Sequence, residues 1–317
     1  LSHHPMAEVK IFSGSNSRYL AEEIAMNYGQ ELGHLEILRF KDGEYQASIT
    51  ESVRGAYVFF IQSTQAPFDN IMELLLMIDA AKRASAGYVT AVIPYYGLAR
   101  QDRKDKPRVS IGAKLFANLL KTAGADRVVT MDLHADQIQG FFDIPVDHLS
   151  STAVFTPYIE EHITENTLFA SPDVGSTKRA RAYAQYFDTD IVICDKYRQK
   201  ANEVASMTVI GEVDGNDVVL VDDICDTATT LCMAADALID KGARSVMAMC
   251  THPVLSGNAI EKIERSKLTR LVVCNTIPLK HSSDKIEELS VAALFATAIR
   301  NTHEHKSISR LFIEGLM

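Results

Sequence analysis

The chain has 317 residues, 47% hydrophobic and 23% charged, the balance of a soluble globular protein long enough for two domains of about 150 residues each. A net charge of −9 excludes a broad basic nucleic-acid footprint, so an anionic substrate has to meet locally collected cations. No apolar run approaches the roughly 20 residues of a membrane helix, and no signal peptide is visible, so a cytoplasmic location is expected. Leu1 to Pro5 reads as a cloning-tag remnant, with the native start expected at Met6. Val9 to Ser13 predicts a strand ending in the turn Ser13-Gly14-Ser15-Asn16-Ser17, whose last residues can cap a helix from about Arg18. Leu35 to Phe40 predicts a second strand, followed by Lys41-Asp42-Gly43-Glu44. Tyr57 to Gln62 is an apolar strand, and Asn70 to Ser85 carries Ile71, Leu74, Leu75 and Ile78 at helical spacing. A strand at Tyr88 to Tyr96, a helix at Ile111 to Thr122 and a strand at Arg127 to Leu133 follow.

The rhythm then starts again. Helices at Ala153 to Ile163, Lys178 to Phe187, Ala228 to Lys241 and Ala259 to Glu264 alternate with strands at Leu168 to Ser171, Ile191 to Cys194, Val218 to Val221, Ser245 to Cys250 and Leu271 to Asn275. This alternation predicts an α/β fold of βαβ units with mostly parallel sheets flanked by helices. Two halves of similar length point to a duplicated domain, with a boundary near His148 to Thr152. The five cysteines form no C-x-x-C pair and sit mostly in apolar strands, which favours reduced structural thiols.

Polar clusters fall where strands end, the place where ligands collect in open parallel sheets. Tyr95 to Asp105 carries Arg100, Gln101, Arg103 and Lys104; arginine forks suit polyphosphate, though the run also reads as a solvated loop. Thr130 to His134 places Asp132 beside His134, a pair able to share a divalent cation or to be structural. Ser171 to Arg179 joins Asp173 to a glycine turn and a basic helix start. Asp195 to Glu203 packs Lys196, Arg198 and Lys200 into five residues and reads as a mobile loop that can close over phosphates, or as solvated charge. The organising stretch is Val218 to Thr230. Four apolar residues lead to Asp222 and Asp223, then to Asp226 and the hydroxyls of Thr227, Thr229 and Thr230 before a helix. A helix start offers amides to a phosphate, and the carboxylates can accept hydrogen bonds from vicinal hydroxyls. A ribose 5-phosphate has that shape.

This stretch resembles the phosphoribosyl-binding loop of type I phosphoribosyltransferases. With Ala99-Arg100-Gln101-Asp102, Met131-Asp132-Leu133-His134-Ala135, Gln137 to Asp143, Ser171-Pro172-Asp173 and Lys200 to Val204, the chain resembles the class I ribose-phosphate pyrophosphokinases from Val9 to about Phe312. The resemblance implies two tandem phosphoribosyltransferase-like domains. The first, 6–149, is the ATP side with allosteric contacts; the second, 150–317, holds the ribose 5-phosphate site, with a tail from about 305 returning to the first. It implies an ATP-dependent diphosphotransferase making 5-phosphoribosyl 1-diphosphate and AMP. A phosphoribosyltransferase and a non-catalytic regulatory paralogue are the alternatives.

The resemblance also implies roles. Lys196 and Arg198 are catalytic cations; Phe40, Asp42, Glu44, Arg100, Gln101 and His134 bind ATP; Arg198, Asp222, Asp223, Asp226, Thr227, Ala228, Thr229 and Thr230 bind ribose 5-phosphate. His134, Asp173 and Asp132 hold Mg²⁺, and Ser52, Arg54, Ser85, Arg108, Ser307 and Ser309 form a site for activating phosphate and inhibiting ADP. A homohexamer built from dimers is implied as well. One departure stands out: Thr229 occupies a position where the family usually has glycine. Either this residue has an ordinary backbone conformation or the phosphate loop is reshaped.

Overall fold

The computed structural model describes residues 6–198 and 205–316. The chain divides into two compact units. The first contains β1 (Val9–Ser13), α1 (Arg18–Tyr28), β2 (Leu35–Arg39), β3 (Tyr45–Ile49), β4 (Tyr57–Ile61), α2 (Asp69–Arg83), β5 (Tyr88–Ile93), α3 (Gly112–Ala123), β6 (Arg127–Met131) and β7 (Val146–Leu149). A 3₁₀ turn at Asp136–Phe141 lies between β6 and β7. The second contains α4 (Thr152–His162), β8 (Thr167–Ser171), α5 (Thr177–Tyr186), β9 (Ile191–Tyr197), β10 (Ser206–Ile210), β11 (Asp217–Cys225), α6 (Thr229–Asp240), β12 (Ser245–Pro253), α7 (Ala259–Arg265), β13 (Leu271–Cys274) and β14 (Ile286–Leu289). The last helix, α8 (Ala292–His303), belongs with the first unit.

The first unit is a five-stranded parallel sheet in the order β1-β4-β5-β6-β7. β2 and β3 form a separate antiparallel hairpin. Each inner strand is apolar on both faces, as a sheet covered on both sides demands. Phe12, Phe60, Ile78, Phe116 and Leu120 are buried in its core. α8 packs on α1, where Arg300 donates to the Tyr28 carbonyl at 2.5 Å and its guanidinium lies 4.3 Å from the Tyr28 ring centre. The stretch grouped with this unit is 291–311, so it takes in the whole of α8 rather than starting at the expected residue 305. Residues 312–316 group with the second unit.

The second unit has seven strands in the order β10-β9-β8-β11-β12-β13-β14, all parallel except the β9–β10 pair. Its core includes Leu220, Ala234, Leu238, Val246, Ile263 and Leu271. Among the described residues no helix is long and apolar enough to cross a membrane.

Two elements differ from the sequence expectation in ways that matter for the site. Lys196, expected on a mobile loop, lies on β9, because β10 returns and pairs with it, Met207 opposite Lys196. Arg198 follows the strand end, and Gln199 to Val204 of the expected loop lie outside the described residues. Asp222 and Asp223, expected beyond a strand ending at Val221, are inside β11. β8 stops pairing with β11 at Leu220, whereas β12 continues to Cys225 opposite Pro253. β8 thereby makes no strand pairing beside either carboxylate.

Candidate active site

β11, its loop and α6 assemble the second unit's site. Asp222 is half-buried and Asp223 is 8% exposed. Ser176, at the start of α5, donates its hydroxyl to Asp222 Oδ1 at 2.7 Å, and the Asp223 amide donates to the same oxygen at 2.9 Å. Asp173 accepts the Ser176 amide at 2.9 Å, so the two strand-end loops share one hydrogen-bonded frame. The Ser256 amide donates to the Asp226 carbonyl and the Leu255 amide to that of Cys225, both at 2.9 Å, which backs the loop from behind.

Ala228, not Thr229, takes the left-handed conformation, with φ of 64°. Thr229 is the first residue of α6 and has no positive φ, so the loop accommodates threonine without strain there. The first of the α6 bonds runs from the Cys232 amide to the Ala228 carbonyl at 3.0 Å. Among the described residues, the amides of Thr229, Thr230 and Leu231 find no protein acceptor. Three bare amides at the positive end of a helix of 12 residues form an oxyanion cradle.

Electrostatics split this site in two. Burial, reinforced by the Asp223 charge beside it, pushes the Asp222 carboxyl up to about 8, with Asp173 adding to the effect and the Ser176 hydrogen bond opposing it. Asp222 therefore holds a proton near neutral pH in this crowded pair. Burial also pushes the Cys194 and Cys225 thiols up to about 12, and that of the enclosed Cys250 well above its ordinary value. They are inert packing groups, as their strand positions led one to expect.

Cations stand at the other end. Lys196 Nζ donates to Thr230 Oγ1 at 3.1 Å, so this exposed side chain rests on the first turn of α6. Lys241, just past the end of α6, donates to the carbonyls of Val209 at 2.9 Å and Gly211 at 3.0 Å, tying the helix to the strand that carries Lys196 through β10. Lys262 on α7 was missed in the sequence. It donates to Thr229 Oγ1 at 3.0 Å and to the Thr227 carbonyl at 3.3 Å. Its signal was absent, since Ala259 to Arg265 reads as an ordinary charged helix face 32 positions from Thr230.

In the first unit, Arg100 and Gln101 are exposed in the loop after β5. Gln101 is fixed at the start of α3, where its carbonyl accepts the Ala113 amide at 3.1 Å. Asp132 is 5% exposed with φ of 39°, and His134 is exposed just beyond it. The Leu133 amide between them donates to His148 Nε2 at 2.8 Å. Phe40, Asp42 and Glu44 form the exposed β2–β3 turn, closed by the Phe40 amide on the Glu44 carbonyl at 2.8 Å and the Glu44 amide on Asp42 Oδ1 at 3.0 Å. Arg54 forms a backbone bridge with Ala86, the residue after Ser85, and the Gly55 amide donates to the Ser85 carbonyl at 2.8 Å. Ser307 and Ser309 share a hydroxyl pair at 2.7 Å. Among the described residues no hydrogen bond or ion pair joins these two groups to one another, to Ser52 or to Arg108.

Mg²⁺ favours a few carboxylate oxygens plus phosphates over a closed protein cage. Among the described residues no three His, Cys, Asp or Glu side chains form such a cage. Burial and the neighbouring charges of Asp223 and Asp173 push the Asp222 carboxyl up, which marks a place deficient in positive charge that fits a hard divalent ion. His134 offers nitrogen, a poor direct ligand for Mg²⁺ that serves through water.

A mostly parallel sheet with paired carboxylates on a central strand, followed by an anion-binding helix start, defines a phosphoribosyl-binding α/β protein of the type I phosphoribosyltransferase-like class. Comparisons sharpen this. Residues 9–124 match the N-terminal domain of ribose phosphate pyrophosphokinase, and residues 196–313 match the phosphoribosyl synthetase-associated domain. Ribose-phosphate pyrophosphokinase of Porphyromonas gingivalis is 56% identical over 95% of this chain and 97% of its own. That of Wolinella succinogenes is 54% identical over 97% and 100%. The crystal structure of phosphoribosylpyrophosphate synthetase from Mycobacterium smegmatis superposes with a TM-score of 0.89 at 38% identity, covering 94% of this chain and 99% of that one. The chain belongs to the ribose-phosphate pyrophosphokinase family.

Proposed function

We infer that the chain transfers the diphosphoryl group of ATP to the C1 hydroxyl of ribose 5-phosphate, giving 5-phosphoribosyl 1-diphosphate and AMP. The observation that carries this is the carboxylate pair and bare-amide helix start on β11 and α6, in a chain more than half identical to pyrophosphokinases over nearly its whole length. A plain phosphoribosyltransferase is not favoured, because residues 9–124 match the pyrophosphokinase N-terminal domain.

Asp222 and Asp223 accept the ribose hydroxyls, and the Thr229 to Leu231 amides take the 5-phosphate, which fixes the anomeric hydroxyl for in-line attack. The C1 oxygen forms its bond to the β-phosphorus as the bond from that phosphorus to the AMP oxygen breaks; the electron pair leaves with AMP and the hydroxyl proton is lost. Positioning and charge neutralisation dominate such transfers. Lys196 and Arg198 stabilise the negative charge that develops, and Arg100, Gln101, His134 and the Phe40, Asp42 and Glu44 turn handle the nucleotide. Asp173 in the second unit, and His134 with Asp132 in the first, would hold Mg²⁺, which would supply neutralisation of phosphate charge. Phosphate and ADP act through Ser52, Arg54, Ser85, Arg108, Ser307 and Ser309 in a cytoplasmic hexamer of dimers. The backbone bridge of Arg54 with Ala86, next to Ser85, and the hydroxyl pair of Ser307 with Ser309 support two halves of that anion site.

The test of the reaction is AMP release from ATP with and without ribose 5-phosphate; AMP formed equally in both removes the assignment. For the effector site, phosphate is titrated against the parent and Arg54→Ala at fixed magnesium. Full activity without phosphate ends that part.

A further inference from the structure

We propose that the Lys262 ammonium is a direct ligand of the substrate's 5-phosphate, seated for that purpose by Thr229. The proposal rests on the ribose 5-phosphate reading of the α6 loop and adds to it a residue from a separate helix. A lysine ammonium has three donors. Two are used on the phosphate loop itself, on Thr229 Oγ1 at 3.0 Å and the Thr227 carbonyl at 3.3 Å. Among the described residues Lys262 has no carboxylate partner, so its full charge is spent on a loop whose only formal charge is the Asp226 carboxylate. Holding a half-buried ammonium against neutral oxygens gains little by itself. Beside three amides without acceptors it makes sense as part of an anion site.

Thr229 is what makes the placement specific. A residue without a side-chain oxygen there leaves Lys262 only the longer carbonyl contact. Thr229 is held in turn by its neighbour, since the Thr227 hydroxyl donates to Thr229 Oγ1 at 3.3 Å. Lys196 occupies the adjacent Thr230 hydroxyl at 3.1 Å. Two ammoniums thus flank the cradle through consecutive threonines, one from an edge hairpin and one from α7. The hairpin lysine serves the transferring group, and the α7 lysine serves the phosphate that does not react. The threonine at this position is therefore functional here and not merely tolerated.

The experiment measures kcat and both KM values for the parent, Lys262→Gln, Lys262→Arg and Thr229→Val, with melting curves for each. Losing one charge-assisted hydrogen bond to phosphate corresponds to about tenfold or more in KM. Lys262→Gln should raise KM for ribose 5-phosphate by about that factor, with kcat and KM for ATP within about twofold. Lys262→Arg should recover most of the loss. Thr229→Val should raise the same KM by a smaller factor, and adding it to Lys262→Gln should cost little more. An unchanged KM for ribose 5-phosphate in Lys262→Gln overturns the proposal. So does a parallel fall in kcat and both affinities, or a variant that does not fold, because each makes Lys262 a structural brace. A parent that releases no AMP in response to ribose 5-phosphate is a separate outcome, which removes the substrate reading itself.

Discussion

The two units carry the same strand end with opposite chemistry. Ile61 closes β4 and Val221 stands at the matching point of β11, each eight positions before its following helix starts, at Asp69 and at Thr229. By that correspondence Gln62 and Ser63 take the places of Asp222 and Asp223. At this strand end of the first unit the polar groups are consumed internally. Glu73, 2% exposed, accepts the Ser15 amide at 2.5 Å, the Ser15 hydroxyl at 2.7 Å and Gln62 Nε2 at 3.2 Å. Gln62 lies so close to Gly14 that a Cβ there would meet its Oε1 at 2.1 Å. Asp69 puts a negative charge on the first turn of α2, where α6 has none. A helix start with its own carboxylate repels phosphate, whereas one with threonines and bare amides attracts it. The two strand ends share their spacing to the following helix, and side chains at a few positions set their chemistry apart.

The comparison breaks most completely by grafting one end onto the other. Asp222→Gln combined with Asp223→Ser should cut kcat/KM for ribose 5-phosphate by about 10³-fold, the scale for removing the partners of substrate hydroxyls. A loss under about tenfold would mean that the carboxylates are not what separates the two loops. Next is Lys196→Ala, which should lower kcat by about 10²-fold with little change in ATP binding. Activity within about a factor of three of the parent would leave this strand without a catalytic role.

A smaller effect reads the electrostatic cost of the second loop. The Asp222 carboxyl titrates from about 8 in the folded chain against 3.8 ordinarily, so the folded state holds the extra proton across that window. Stability contributed by that proton is present at low pH and is lost as pH rises toward about 8. Asp222→Asn removes the penalty. Its melting temperature should match the parent near pH 4 and exceed it by about 3 °C or more at pH 8.5, even as activity falls. A gap that stays constant with pH would show the pair to be screened. Smallest is the backbone: Ala228→Gly should add about 0.5–1 kcal/mol, or roughly 2 °C, by relieving a left-handed alanine. Thr229→Gly should do the reverse, since that residue is helical, and calorimetry of the two distinguishes them.

The fold was legible because period and punctuation agreed: apolar runs such as Tyr57 to Ile61 and Val218 to Val221 are what a doubly covered parallel sheet requires. β10 was not, as only Met207 and Val209 of five residues face inward on an edge. Asp222 and Asp223 were visible as a motif, but their place inside β11 was not, because it depends on where β8 stops. Thr229 illustrates the limit best. Its type signalled a departure, yet its φ and its link to Lys262 arise from contacts between α6 and α7 that no local pattern encodes. Glu73 was hidden for the same reason, as one of three acids on α2 with Asp69 and Asp79.

The Cys225 thiol, held near 12 by burial and by the Asp222 charge, sits at the end of β11 directly before the phosphate loop. Burial keeps this thiol protonated, so alkylating reagents that need the thiolate react with it slowly while it stays packed. Modification of this sulfur therefore requires a local opening around the end of β11, and its rate, mapped by peptide mass, becomes a clock for that opening. Bound sugar phosphate should slow the clock in proportion to its occupancy, which turns a buried sulfur into a reporter of a neighbour's ligand.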